Sequence, residues 1–287
     1  MATQKPKEEQ TAAVATVDTL ASMIDLARPE GVDAAGDLGT ENIGQDDILI
    51  PRIGIIQKTS KELEENSPRF IQDAKFLDLY NSVSRKLYGR GPLHFVVLRA
   101  DKPRGVQFRP LDEGGGIIDP NVPLNDPRMQ FGPVDPDTGK ATKPLATKFY
   151  DFIVLVLTGL DFNDPVANVA AFSFKSTGIK AAKTLNMLIT QRGPKALFKG
   201  VYEISTAMDQ NASGAFGVYK LKNAGWLKAD SAAEHLAAEM FAAWRHREAV
   251  IDRETPGEDP EDTSFNTAEM ERQAAAAAGT SVEDPGM

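Results

Sequence analysis

Residues 148–157 read Lys-Phe-Tyr-Asp-Phe-Ile-Val-Leu-Val-Leu, and Thr158-Gly159 follows them. Aromatic and β-branched residues are enriched in strands, and turn residues such as glycine typically bound them. This run is therefore the strongest strand prediction in the chain. Its apolar part, residues 152–157, is the longest unbroken apolar run and is far too short to cross a bilayer.

Further segments with strand character lie on both sides of this run. They are residues 48–56, 93–99, 106–109, 166–175, 198–206 and 216–222. Pro51 confines the first of them to an edge, a bulge or a strand start, because proline cannot donate a hydrogen bond. Residues 110–146 are rich in proline and glycine and show no periodicity, which predicts a long loop.

Two helices are predicted among the strands. Ser176 or Thr177 caps the first, which runs to about Gln191 with apolar residues spaced three or four apart along one face. Ser231 and Glu234 have the spacing of a capping box at the start of the second. A mainly β chain with appended helices (α+β) predicts a closed or partly closed barrel.

Charge is distributed unevenly along the 287 residues, which carry a net −9. Residues 1–45 carry −5, residues 46–250 carry +4 and residues 251–287 carry −8. The composition of both acidic ends is typical of disorder. We therefore predict a disordered acidic segment at 1–45, one folded domain at 46–250 and a disordered acidic tail at 251–287.

The residues do not assemble a catalytic set. The chain has no cysteine, which excludes disulfides, thiolate metal sites and cysteine nucleophiles. Its three histidines, His94, His235 and His246, have no metal-ligand spacing, and no Gly-x-Ser-x-Gly motif occurs. We therefore predict that the protein is not an enzyme and has no cofactor or metal.

Weaker motifs favour the same conclusion. Gly178-Ile-Lys-Ala-Ala-Lys-Thr resembles a phosphate-binding loop but lacks the glycine before the lysine. The acidic pairs Asp46-Asp47 and Asp112-Glu113 could bind Mg²⁺, although adjacent carboxylates in loops are more often simply solvated. The first nine residues lack the hydrophobic core of a secretion signal, which predicts a soluble, cytoplasmic protein without a membrane partner.

The sequence gives more support to a nucleic-acid-binding surface than to a catalytic site. Period-2 alternation in residues 215–222 places Phe216, Lys220 and Lys222 on one strand face, with Tyr219 and Leu221 on the other. Rings can stack on bases while ammonium groups meet phosphates, as a single strand requires. The alternative is that Phe216 belongs to the core and the lysines are surface charges.

Other cations and rings extend this set along the folded domain. Four cations surround one ring near residue 108, two lysines share a helix side near its N-terminus, and an indole follows the last strand. The complete set of predicted contacts is Arg99, Lys102, Arg104, Phe108, Arg109, Lys148, Tyr150, Lys175, Lys180, Lys183, Phe216, Lys220, Lys222 and Trp226. A flexible acidic tail could occupy such a cationic groove in competition with DNA.

Two segments carry a resemblance to a known class. They are Asp47-Ile-Leu-Ile-Pro-Arg-Ile-Gly-Ile-Ile-Gln57 and Phe172-Ser-Phe-Lys-Ser-Thr-Gly-Ile-Lys-Ala-Ala-Lys-Thr-Leu-Asn186. With these segments, residues 43–225 resemble bacteriophage single-stranded DNA-binding proteins, and the acidic C-terminal tail is similar to that class. The resemblance implies an OB-like, partly closed antiparallel barrel. The chain departs from tails that end in an aromatic residue, because its last residues are Glu283-Asp-Pro-Gly-Met287.

The resemblance also implies a function. It is the sequence-tolerant, non-enzymatic protection of single strands in viral DNA replication or recombination, in the host cytoplasm if the chain is viral. The partners it implies are single-stranded DNA and, through the acidic tail, replication or recombination proteins, while a homo-oligomer is left open. The alternative is a structural or scaffold-like viral protein whose rings and tails bind other protein chains.

Overall fold

The computed structural model describes residues 49–110, 113–134, 136, 141–193, 196–211, 214–247 and 250–252. The strands are β1 (Leu49–Ile50), β2 (Ile53–Ile55), β3 (Leu79–Asn81), β4 (Leu87–Gly89), β5 (Leu93–Ala100), β6 (Arg104–Phe108), β7 (Ile117–Val122), β8 (Ala146–Val156), β9 (Val169–Phe174), β10 (Gly200–Asn211), β11 (Gly214–Trp226) and β12 (Val250–Ile251). The helices are α1 (Ile179–Gln191) and α2 (Ala232–Trp244). The prediction of a mainly β protein with appended helices is confirmed.

The strongest predicted strand, residues 148–157, corresponds to β8, which lies at the middle of the main sheet. This antiparallel sheet has seven strands in the order β11-β10-β5-β8-β6-β7, and β9 pairs with the other edge of β8. β5 and β6 follow each other along one edge of β8, where they pair with its C-terminal and N-terminal halves. Strands β2, β3 and β4 form a smaller antiparallel sheet, and β1 pairs with β12 in parallel.

Strand alternation in β8 divides the interior into two cores. Phe152 and Val154 point into a first core, which α1 and the small sheet cover. Ile153 and Leu155 point the opposite way into a second core, which α2, β1 and β12 cover. Because both faces of the sheet centre are buried, β8 reads as a continuous apolar run instead of an alternating one.

The main sheet curls so that its two ends approach each other. The ring centroids of Phe174 in β9 and Tyr219 in β11 lie 5.2 Å apart. The Gln57 side chain lies at the gap, where its amide oxygen accepts a hydrogen bond from Gly217 N at 2.8 Å and its amide nitrogen donates one to Gly217 O at 3.2 Å. A β-carbon at Gly217 would lie 2.5 Å from Ile55 Cδ1, so the lack of a side chain at Gly217 allows this close approach. No strand ladder in the described part of the chain joins β9 to β11, so the predicted barrel closure is not confirmed.

Several local predictions differ from the structure. The predicted loop at 110–146 contains β7, whose Ile117 and Ile118 are both exposed and therefore give no alternating signal. The predicted cap of α1 is wrong: residues 176–178 form a 3-10 turn, and Gly178 is the N-cap without a side-chain hydrogen bond. The cap of α2 is confirmed, because Ser231 Oγ accepts a hydrogen bond from Glu234 N at 3.2 Å.

The two predicted disordered ends lie outside the described residues, except for Ile251 and Asp252. Ile251 is 2% exposed in the second core, and Asp252 N donates a hydrogen bond to Ile50 O at 3.0 Å. Both therefore belong to the folded domain and not to the tail that was predicted to begin at 251. Neither helix of the described chain has the length and apolar character that a membrane crossing needs.

Candidate nucleic-acid interface

The strongest candidate is a row of side chains on the outer face of β11, formed by Phe216, Val218, Lys220 and Lys222 and called here the β11 row. Tyr219 and the other inward residues of the strand pack against the first core, which fixes the direction of the row. Phe216 and Val218 are half-buried, while both lysines are exposed. The row thus combines a ring with two cations, as the sequence predicts for this strand.

The two lysines of the β11 row differ in whether a described carboxylate pairs with them. Lys222 Nζ lies 3.2 Å from Glu203 Oε1 across the β10–β11 ladder, and the lysine side chain is 69% exposed. Lys220 stands opposite the neutral Ser205, and no described carboxylate pairs with it. The exposed Lys222–Glu203 pair contributes little stability, about 0–1 kcal/mol, so a phosphate can replace Glu203 beside Lys222 at small cost.

Helix α1 brings two more predicted lysines to the other side of the same strand. Its buried residues Ala181, Ala182 and Leu185 pack on the first core next to β11, and Lys180 and Lys183 point to solvent. They lie on the helix that covers the inner face of β11, whereas the β11 row lies on the outer face. Lys175, which precedes the helix, is half-buried.

Two of the three predicted arginines near β5 and β6 are held in ion pairs. Arg99 Nε lies 2.8 Å from Asp101 Oδ1, and its guanidinium also donates to the Arg247 carbonyl. Arg104 Nη2 lies 3.3 Å from Asp151 Oδ2, and the Asp151 side chain is 1% exposed. Removing the partner of a buried carboxylate is costly, so Arg104 has a structural role that limits its use as a phosphate ligand. Lys102 and Arg109 are exposed in the same region.

Two of the predicted rings are turned inward. Tyr150 is 8% exposed and belongs to the first core, with Lys148 Nζ 5.3 Å from its ring centroid. Phe108 is half-buried, with its ring centroid 6.0 Å from that of Phe149. Tyr150 does not present a ring face to solvent, and we therefore remove it from the set of stacking residues.

Trp226 lies at the opposite end of β11 from Phe216 and is 47% exposed. The guanidinium of Arg192 lies 4.4 Å from its ring centroid and 4.6 Å from that of Tyr202. Burial lowers the pKa of the Arg192 guanidinium and raises the pKa of the Tyr202 phenol. Arg192 was not among the predicted contacts, because in the sequence it is part of the Arg-Gly-Pro signal that ends α1.

A network that the sequence analysis also missed holds the segment after β7. Arg128 Nη1 lies 3.0 Å from Asp119 Oδ2 and Arg128 Nη2 lies 2.9 Å from Asp126 Oδ2. The hydrogen bonds from the side chain and backbone of Arg128 lower the pKa of the Asp126 carboxyl to about 2. The two carboxylates outweigh the single guanidinium and leave the network with a net charge of −1. Arg128 therefore adds little to the basic surface.

The outer face of β5, β8 and β9 is closed to any polar ligand. Val96, Leu98 and Ile153 point outward from this face, and Met240 and Trp244 of α2 cover them. These contacts cover the face with apolar side chains. This face is therefore not available to a nucleic acid, whereas the β11 row lies on a part of the outer face that α2 leaves uncovered.

The described residues contain no group of three or more metal-ligating side chains. Of the acidic pairs considered for Mg²⁺, Asp46, Asp47 and Asp112 lie outside the described residues, and Glu113 is exposed. Among the described residues, neither acidic pair therefore belongs to a cluster of metal-ligating side chains.

The fold and this surface define a mainly β domain with two helices and a basic, ring-bearing edge strand. A family model matches residues 23–249, and the chain belongs to the Pam3 phage gp34-like protein family. No curated protein and no solved structure matches the chain.

Proposed function

We propose that the protein binds single-stranded DNA without sequence preference and without catalysis, as the phage resemblance implies. The β11 row is the observation that carries this proposal. Its lysines would meet phosphates, and Phe216 would stack on a base. Stacking tolerates any sequence because every base has a π-face, and it contributes about 1–3 kcal/mol per base.

The chain path supports an OB type of barrel as part of this proposal. When β6 and β7, which extend the sheet beside the N-terminal half of β8, are set aside, β5, β8 and β9 follow one another in the chain, and β10 returns through α1 to lie beside β5. The spatial order β10-β5-β8-β9 is that of a Greek key, and β11 adds a fifth strand. A five-stranded, partly open Greek-key barrel is the OB architecture, which binds oligonucleotides in many proteins.

A titration with oligo-dT tests this function. We expect binding at micromolar or lower concentration in about 50 mM salt, with an affinity that falls as salt rises because bound phosphates release counterions. A duplex of the same length should bind more weakly, since its bases are not available for stacking. No binding of oligo-dT in about 50 mM salt would refute the proposal.

A second candidate is a structural role in binding other protein chains. Ile117 (39% exposed), Ile118 (51%) and Leu145 (67%) place large apolar side chains on or beside the β6–β7 segment. Exposed apolar surface can mark protein contacts. If this role is the correct one, the oligo-dT titration shows no binding, and substitution of these three residues by serine lowers self-association in sedimentation experiments.

Deleting residues 253–287 is expected to tighten DNA binding several-fold in low salt. This segment carries nine acidic and two basic side chains, a net −7, and is tethered to the cationic domain at high effective concentration. The deletion begins after Asp252 because Ile251 is buried in the second core. The affinities of the full-length and truncated proteins for oligo-dT should differ at low salt and converge at high salt. Identical affinities of the two proteins at low salt would reject the competition.

A further inference from the structure

Arg192 is the centre of a layered contact at the end of the main sheet. Its guanidinium lies between two rings, 4.6 Å from the Tyr202 centroid and 4.4 Å from the Trp226 centroid. Tyr202 is 1% exposed, so it forms the buried side of the contact, whereas Trp226 is 47% exposed. The three groups therefore form a stack that runs from the core to the surface.

Polar contacts fix the guanidinium in this position. Arg192 Nη2 donates a hydrogen bond to Val201 O at 2.9 Å and another to Asn223 Oδ1. Behind it lies Gly200, at which a β-carbon would approach Arg192 Nη1 to 2.5 Å. The guanidinium thus has little freedom to move, and the indole that rests on it is held at a fixed depth and orientation.

The charge of Arg192 is not neutralised by any carboxylate in the described part of the chain. Its contacts are two ring faces, a backbone carbonyl and a side-chain amide. A cation that is partly desolvated and lacks a counter-ion attracts an anion brought to the nearby surface, because screening by solvent is weaker there. The surface next to Trp226 therefore favours a ligand that combines a flat ring with a negative charge.

A nucleotide is such a ligand. We propose that Trp226 stacks on one base of the bound strand and that Arg192 is the positioning residue that holds the indole for it. This inference rests on the proposed function and assigns a second contact to it. Trp226 lies on the side of β11 that α1 covers, whereas the β11 row lies on the outer face, so one bound strand that reaches both must pass over the free edge of β11. Ten residues separate residue 226 from residue 216, which at about 3.3 Å each is roughly 33 Å along the strand.

Intrinsic fluorescence gives a direct test, because the chain has two tryptophans. Trp226 is 47% exposed, whereas Trp244 is 4% exposed in the second core. Oligo-dT should quench the emission of the wild-type protein, and Trp226→Phe should remove that quenching while the emission of Trp244 remains. Trp226→Ala should weaken binding roughly 5- to 150-fold, the range that the loss of one stacked base implies, and Trp226→Phe should weaken it less.

Arg192→Gln tests the positioning role, with Arg245→Gln as the matched control. Arg245 also lies over a ring, 5.8 Å from the Phe241 centroid, but on α2. We expect Arg192→Gln to shift the Trp226 emission in the free protein and to reduce the quenching by DNA, whereas Arg245→Gln leaves both unchanged. Equal quenching in the two variants would overturn the role of Arg192.

The outcomes separate this inference from the proposed function. If oligo-dT binds the wild-type protein without quenching Trp226, the stacking site is wrong and the DNA-binding function stands. If oligo-dT does not bind at all, both are wrong. Because Trp226 lies at the surface, Trp226→Phe remains an informative variant even if Arg192→Gln does not fold.

Discussion

Replacing Lys220 and Lys222 together by glutamine is expected to weaken oligo-dT binding about 60-fold in about 50 mM salt. Each phosphate contact to a single strand contributes about 0.7 to the slope of log affinity against log salt, so two contacts contribute about 1.4. At about 1 M salt the two contacts contribute almost nothing to the affinity. Lowering the salt about 20-fold, to about 50 mM, then makes their contribution about 60-fold, which the double variant loses. Both lysines are exposed, so their replacement should leave the fold intact.

The matched control is the double variant Lys58→Gln and Lys86→Gln. These lysines are also exposed, and each lies over a ring in the region of the small sheet, 5.6 Å from the Phe76 centroid and 5.4 Å from the Tyr88 centroid. The two double variants change the net charge equally. A similar loss of affinity in both would mean that overall charge and not the β11 row binds DNA.

Trp244→Ala is expected to destabilise the protein by about 3–5 kcal/mol without tightening DNA binding. The indole is 4% exposed and packs in the second core, where it joins α2 to the outer face of the main sheet. Its removal leaves a cavity that the surroundings cannot fill. Urea denaturation should show the loss as a lower midpoint with the same slope.

This variant also distinguishes a permanent cover from a displaceable lid. Glu239→Ala, on the exposed side of α2, is the control and should change stability by no more than about 0.5 kcal/mol. If Trp244→Ala folds with unchanged stability and binds oligo-dT more tightly, α2 is a lid over the outer face of β5, β8 and β9. The binding surface would then lie beneath α2 and not on the β11 row.

The sequence predicted the strands whose signal is local. The run at 148–157 was recognised as a strand because a strand buried on both faces is uniformly apolar. The alternation in 215–222 correctly separated Tyr219 from the lysines, since period 2 is intrinsic to a strand. β3 and β4, with three residues each, were too short to produce a pattern.

The parts of the site that were missed depend on contacts between distant residues. Arg192 meets Trp226 across 34 positions of sequence, and no local spacing indicates that the two will stack. The burial of Tyr150 and the pairing of Arg104 with Asp151 likewise follow from strand register, which one sequence does not reveal. A ring beside a lysine in sequence led to predicted contacts on both β11 and β8. The lysines of β11 are exposed, whereas the Tyr150 ring of β8 is buried.

Hydrogen–deuterium exchange with and without oligo-dT tests the central claim most directly. If the β11 row binds single-stranded DNA, exchange of the backbone amides in residues 214–226 slows when DNA is added, while exchange in α2 does not change. Slower exchange confined to α2 or to residues 104–122, with no change in residues 214–226, would contradict the account.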